Sequence, residues 1–573
     1  MEPALPDEVW IMVFRLLVRT HGLMEYAPLL RIAATSKSFR VRAIAFWNES
    51  FSVPGEIEAM VSEPARVFNP RDGCASLPPI GILRPPLVSD LDEGKLPIGT
   101  GWSILRSARS ACIRTSDAAH DLASLARLAP AVTAVTVIFN AQNVSFGASP
   151  IVMDDGVRCL IVDRCNAARV GWEPRSPVSG SIRCHGVTHF AVSGRARGLP
   201  SFECIEMPNA RHVLVGHAPG SFAGIERLAG LLSLAIGDTG TGQGVLPTIG
   251  NLGALRSLRK LYIGFSSIFT FVKFTSDALP SLARLVSITV CTPRGAEDMF
   301  LHRAHAARAC LTGLESLGLT GLGGEGGEGR EGSWPAILAP VPMHTDLPRS
   351  ALLKRLDIHC VWYSSWVQWH GLSSITELSL TGIRIVRDHR RPPAMVASLE
   401  SLGLASMLSL TVLRLNDIQH LQSLSGLLAL PSSLSTLVVA KCADLTQAGC
   451  MVLGTMHSLV ELSFTECGLG GHGLVPTVPS LIALTRLDTL CVDLRDDDDE
   501  EDEIMVPEIP PSLRRLRFHS ENSYQALESP QLEYMRRLAA ENPRLTELSI
   551  GYWDRAWVSG FGIVPYQKAP ALG

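Results

Sequence analysis

LSTLVVAKCADLTQAGCMVLGTMHSLVELSFTEC, residues 434 to 467, sets the architecture of the whole chain. Its apolar residues stand at Leu434, Leu437 and Val439, followed by Cys442, and the same set returns at Leu459, Leu462, Phe464 and Cys467, a step of 25 positions. In an extended segment the last two apolar residues of each set point to one face, and the residues between them point to the other. Between the copies, Leu445, Thr446, Gly449 and Leu453 have the spacing of a turn followed by a short helix. A small residue such as Cys442 fits under the turn where the chain leaves the strand.

This unit resembles the cysteine-containing leucine-rich repeat. The resemblance implies an α/β solenoid with one strand and one helix per repeat, a parallel sheet on a concave face and helices and loops on a convex one. A single copy cannot offset the entropy of ordering its own chain, so only a stack of neighbours is stable. Ladder starts can be placed at Val132, Val157, Val187, Phe202, Leu231, Leu258, Leu285, Leu314, Leu353 and Ile375, then at Leu434, Leu459, Leu487, Leu513 and Leu545. Leu399 and Leu410 compete for one further start, and LTVLRLNDI makes Leu410 the better match. The count is about 15 or 16 repeats.

Composition agrees with many buried ladder positions: 46% hydrophobic residues, 18% charged and a mean hydropathy of +0.20. A net charge of -4 excludes a generally basic nucleic-acid binder. The 13 cysteines are odd in number and contain no CxxC pair; they read as small buried residues of a reducing compartment. Glu2, Asp7 and Glu8 precede any apolar run, unlike a secretory signal, and no apolar run is long enough to span a membrane. The expected location is cytoplasm, nucleus or both.

The N-terminal stretch MEPALPDEVWIMVFRLL begins with Pro6 suited to a first helical turn and with Asp7 and Glu8 complementing its positive end. Val9, Met12, Val13, Leu16 and Leu17 form one apolar face, yet Trp10, Ile11 and Phe14 are apolar as well. That is more apolar surface than some 45 residues can cover alone. Residues 1–47 resemble an F-box: Leu5, Pro6 and Glu8 match its opening, Val13, Phe14 and Leu17 its first helix, Leu29 to Ala33 its second, Ser36, Lys37, Phe39 and Arg40 its signature, and Phe46 and Trp47 its end. The first interhelical loop is about six residues longer than is usual in the family, and Phe39 replaces the commonest tryptophan.

The resemblance implies docking on a Skp-type adaptor of a cullin–RING ubiquitin ligase through Leu5, Pro6, Glu8, Val9, Trp10, Val13, Phe14, Leu17, Leu30, Ser36, Phe39 and Arg40. The alternative is a helical cap on a plain interaction scaffold or inhibitor with no ubiquitin role. A proline-rich connector over 48–115 follows, then the repeats over 116–560, opening on a helix-like SDAAHDLASLARL at 116–128, and a tail over 561–573.

No convergent acid, base or nucleophile set stands out, so no catalytic residue, metal or cofactor is expected. DTGTGQG at 238–244 lacks the spacing of a phosphate loop, and His302, His305 and Cys310 lack a fourth metal ligand. DDDDEEDE at 496–503 reads as a solvated acidic insertion, with a contact for a basic partner as the alternative. The informative chemistry lies at the second, fourth and sixth places after each ladder start. In the C-terminal half these include Arg355, Asp357 and His359, Glu377, Ser379 and Thr381, Arg414, Arg515, Arg517 and His519. Arginine forks suit carboxylate or phosphate groups, so an acidic or phosphorylated protein segment is the expected substrate of Arg355, His359, Arg414, Arg515, Arg517 and His519. Trp362, Trp366 and Trp369 have the spacing of one helical stripe, either packed against the repeats or exposed as an aromatic anchor, and Trp362 and Trp366 join the candidate substrate-binding set.

Overall fold

The structure is a computed structural model of the 573-residue chain. It describes residues 19–20, 23–24, 39, 41–42, 110–115, 131–139, 151–152, 155–163, 181–193, 201–216, 220–237, 239, 245–265, 267–293, 313–322, 352–359, 362–363, 373–382, 384–385, 399, 404, 407–418, 421–430, 432–465, 467, 481–493, 510–520 and 540–552. The chain divides into two compact units, Met1–Leu285 and Val286–Gly573.

In the first unit the ladder strands are β1 (Ser110–Thr115), β2 (Ala134–Phe139), β3 (Cys159–Asp163), β4 (His189–Ser193), β5 (His212–Val215), β6 (Ser233–Ile236) and β7 (Lys260–Gly264). All neighbours pair in parallel, with like positions opposite one another: Val135 with Leu160, Phe190 and Val213 in turn, then Leu234 and Leu261. The second unit repeats this scheme in β8 (Ser287–Pro293), β9 (Ser316–Leu322), β10 (Arg355–His359), β11 (Glu377–Thr381), β12 (Val412–Asn416), β13 (Thr436–Ala440), β14 (Glu461–Thr465), β15 (Thr489–Asp493), β16 (Arg515–Ser520) and β17 (Glu547–Tyr552). Leu378, Leu413, Leu437, Leu462, Leu490, Leu516 and Leu548 form one continuous row in it. Parallel pairing without register slip, one strand per repeat, is the leucine-rich-repeat solenoid.

Buried ladder residues hold each layer: Leu434, Leu437 and Val439 are each 0% exposed, as are Leu459 and Leu462. A second device runs beside them. The serine just before a ladder start donates its hydroxyl to the carbonyl of the previous start: Ser374 to Leu353 at 2.9 Å, Ser433 to Leu410 at 2.9 Å, Ser458 to Leu434 at 2.7 Å and Ser512 to Leu487 at 2.8 Å. Each bond ties one layer to the next and satisfies a carbonyl that the turn would otherwise leave open. Strand exits are equally regular. Gly382, Asp417 and Lys441, each the seventh residue after a ladder start, have φ of 62°, 52° and 54°. Their N–H groups donate to Asn416, Ala440 and Thr465 of the following strand.

Several expectations are corrected. Phe202 does not start a ladder: FECIEM mimics the pattern, but Phe202 lies in the 3-10 turn Phe202–Cys204, and β5 starts from Ala210, which is fully buried. Alanine fills the leucine position there, so the apolar signal is weak. The sheet also begins earlier than expected, because β1 falls inside the stretch read as the connector and pairs with β2 along its full length. Leu410 does precede β12, while Leu399 lies outside the ladder strands.

The return segments are less helical than expected. Among the described residues of these segments, α-helix covers Val245–Thr248, Ile268–Lys273, Gln447–Cys450 and 540–541, with a π turn at Phe274–Ala278 and several 3-10 turns. Between β2 and β5 the returns are instead extended: Ile151–Val152, Ile182–Arg183 and Ile205–Glu206 form a separate three-stranded parallel sheet. Each of its segments opens on isoleucine, a β-branched residue that suits extended backbone. In Gln447–Cys450 the Thr446 hydroxyl accepts from the Gly449 N–H at 3.1 Å, a side-chain cap.

Of the expected F-box, Phe39 is helical and half-buried and Val41 is 60% exposed. Arg19–Thr20 and Leu23–Met24, in the stretch expected to link the first two helices, pair in antiparallel fashion. Leu5, Pro6, Glu8, Val9, Trp10, Val13, Phe14, Leu17, Leu30, Ser36 and Arg40 lie outside the described residues. So do 48–109, the helix-like 116–128, His302, His305, Cys310, the acidic run 496–503 and the tail 561–573.

Candidate protein-interaction face

A strand with one face packed and one face free alternates in burial, and β11 and β12 do so: Leu378, Leu380, Leu413 and Leu415 are buried, whereas Glu377, Ser379, Thr381, Val412, Arg414 and Asn416 are half-buried. β13 follows the same alternation. This is the sheet face that the sequence assigned to recognition, and in the second unit most of its described positions are open, Cys291, Thr465 and Thr489 being buried.

The first unit differs. Cys159, Ile161, Ala191, Leu214 and Ala235 occupy the same second and fourth places, and all are 0% exposed. Here most second and fourth places are buried as well, with His189, His212 and Lys260 half-buried, so this face is largely covered in the first unit and more open in the second. The reason is visible in the strand sequences. CLIVD, HVLV and SLAI are near-continuous apolar runs, the mark of a parallel strand covered on both sides, while RLDIH, ELSLT and VLRLN alternate.

On the open face, the arginines singled out from the sequence all stand where β10, β12 and β16 place them, and each is held by a carboxylate. Arg355 Nε donates to Asp357 Oδ2 at 2.8 Å within β10. Arg414 Nη1 lies 3.6 Å from Glu377 Oε2 on β11, a diagonal pair across the strands. Arg515 donates to Asp488 Oδ2 through Nε at 3.0 Å and Nη2 at 2.6 Å, and Arg514 Nε stands 3.9 Å from the other carboxylate oxygen. Arg517 Nε donates to Glu547 Oε1 at 3.0 Å, again on the diagonal.

The electrostatics follow from these contacts. The Arg515 hydrogen bonds hold the Asp488 carboxyl below its ordinary range, and the same contact raises the Arg515 guanidinium. Asp357 goes the other way: crowding by the neighbouring strands raises its carboxyl, opposed by Arg355 and then Arg414. The face is therefore a row of exposed ion pairs of mixed sign rather than a bare arginine surface. Such pairs are weak individually, and a partner group can displace them.

The carboxylates Asp357, Glu377, Asp488 and Glu547 are thus part of the site. Glu377 and Asp357 were visible in the sequence as alternate-face residues. Asp488 was not, since it directly follows the ladder start Leu487 and enters no alternation. His359 and His519 fall on β10 and β16, in register with Thr381 and Gly551. Trp362 is not helical: Trp362–Tyr363 pairs in parallel with Arg384–Ile385 as a two-stranded sheet, which replaces the expected helical stripe at that residue. Trp366 and Trp369 lie outside the described residues.

No protein-family profile matches the chain, and no curated protein matches it. Similar solved structures include an internalin, InlF, of Listeria monocytogenes (14% identity, 60% of this chain and 82% of that chain covered, TM-score 0.30). Others are TLR13 in its complex with ssRNA13 (13% identity, 80% and 74% covered, TM-score 0.40) and the leucine-rich-repeat ectodomain of the Arabidopsis receptor kinase HAESA with an IDA peptide hormone (11% identity, 75% and 80% covered, TM-score 0.19).

Proposed function

We propose that the chain is a non-catalytic substrate receptor of a Skp–cullin–F-box ubiquitin ligase, docking on the adaptor through residues 1–47 and holding a protein substrate on the second unit. The observation that carries the recognition half is the open, ion-paired sheet face from Arg355 to Glu547, set on rigid parallel strands. The ubiquitin half rests on the F-box resemblance of Leu5 to Trp47. An acidic or phosphorylated substrate group would take Arg515 and Arg517 over from Asp488 and Glu547, exchanging one charged hydrogen bond for another. The reading places the protein in cytoplasm, nucleus or both.

A pull-down with purified Skp-type adaptor tests the first half: the wild-type chain binds and Pro6→Ala with Phe14→Ala does not. Failure of the wild type to bind leaves the second reading, a repeat scaffold without a ubiquitin role. The same open face supports that reading equally.

A further inference from the structure

The exits of β13 and β14 bring two cysteines together. Cys442 and Cys467 each follow two residues behind the register partners Ala440 and Thr465. The Lys441 N–H donates to the Thr465 carbonyl at 2.9 Å, so the two chains stay locked beyond the strand ends. Cys442 Sγ donates to the Ala440 carbonyl at 3.4 Å. Cys467 Sγ is shared between its own Thr465 carbonyl at 3.4 Å and the Val439 carbonyl of the neighbouring layer at 3.8 Å, and is thereby turned toward Cys442. The two side chains are in hydrogen-bonding contact. Neighbouring strands lie about 4.8 Å apart, inside the roughly 4.4–6.8 Å between Cα atoms that a disulfide spans.

We propose that Cys442 and Cys467 form an oxidisable modification site, a dithiol that hydrogen peroxide converts into a disulfide stapling two successive repeats. Cys442 is buried and Cys467 is half-buried, so the peroxide meets Cys467 first. The Cys467 sulfur attacks one peroxide oxygen, the O–O bond breaks, and water leaves with the thiol proton, giving the sulfenic acid. The Cys442 sulfur then attacks Cys467 Sγ; the S–O bond breaks, and a second water leaves with the Cys442 proton. Two thiols lose two electrons in all, and one peroxide becomes two waters. Contact with Cys467 lowers the Cys442 thiol in the reduced pair. Cys450, buried in Gln447–Cys450, is pushed up to about 12 by burial and stays a protonated bystander.

The test is peptide mapping of the full chain after hydrogen peroxide treatment and blocking of the remaining thiols. Cleavage after Asp444, Glu461 and Glu466 separates Cys442, Cys450 and Cys467 from one another. The expected product is a Cys442–Cys467 linked peptide that dithiothreitol releases, that persists in Cys450→Ala and that is lost in Cys467→Ser. Sulfinic acid at Cys467 beside an unreacted Cys442, or a bridge that uses Cys450, overturns the proposal. The wild-type map decides between these outcomes without relying on either variant.

Discussion

Arg515 grips Asp488 with two guanidinium nitrogens on one carboxylate oxygen, at 3.0 and 2.6 Å, from one strand to the base of its neighbour. The pair closes a site at which a partner's anionic group would have to compete. Arg515 is 46% and Asp488 27% exposed in their side chains, so solvent screens the contact and its worth to folding is at most about 1 kcal/mol.

The sign of its pH dependence is fixed. A carboxyl held below its ordinary value of 3.8 stabilises the fold above that value, and the stabilisation is lost as pH falls through the lowered value. Asp488→Asn should leave stability at neutral pH within about 1 kcal/mol of wild type and flatten the acid limb of a denaturation-midpoint curve. It should also tighten binding of an acidic or phosphorylated substrate peptide by freeing Arg515; an unchanged affinity would remove Arg515 from the recognition face.

The two units predict responses of different size to the same kind of change. Ile161 and Val438 both stand fourth after a ladder start, one fully buried and one half-buried. Ile161→Ala should cost about 2–5 kcal/mol in urea unfolding. Val438→Ala should cost about 1 kcal/mol or less. Equal costs would mean that the faces do not differ.

The serine ladder gives a sharper probe than the leucines, because removing a hydroxyl leaves packing intact. Ser458→Ala deletes the 2.7 Å bond to the Leu434 carbonyl. The expected cost is about 1 kcal/mol in a denaturant titration, with unchanged circular dichroism. Amide exchange around Leu434 should quicken at the same time.

Positive φ makes one stabilising substitution at a strand exit and one disruptive one at the start of the 3-10 turn Ile225–Leu228. Lys441 carries φ of 54°, where glycine has no Cβ penalty, so Lys441→Gly should raise stability by up to about 1 kcal/mol. Gly224 has φ of 87° and a Cβ there would stand 2.7 Å from Glu203 Cα, so Gly224→Ala should destabilise the first unit measurably in thermal melts.

Much of the fold was written in the spacing of leucines. Leu434 and Leu459 gave the step, and the rows through Leu378, Leu413 and Leu437 follow it without slip. What escaped was a ladder start without a large apolar side chain and a strand lying inside the stretch read as a connector. Ala210 precedes β5 while Phe202 mimics a start, and Ala111 and Ile113 of β1 sit within the proline-rich stretch.

The site divides in the same way. Alternation in RLDIH and VLRLN told which arginines leave the core, because period two is a property of any extended chain. That Asp488 would clasp Arg515, that Cys467 would lie against Cys442, and that the first unit buries most of both faces of its sheet depend on which layers become neighbours. The sequence by itself determined the repeat and its core-facing row, since these follow from local geometry. Only the tertiary structure decided the ion pairs, the thiol contact and the covered face, since each joins residues that the chain places a full repeat or more apart.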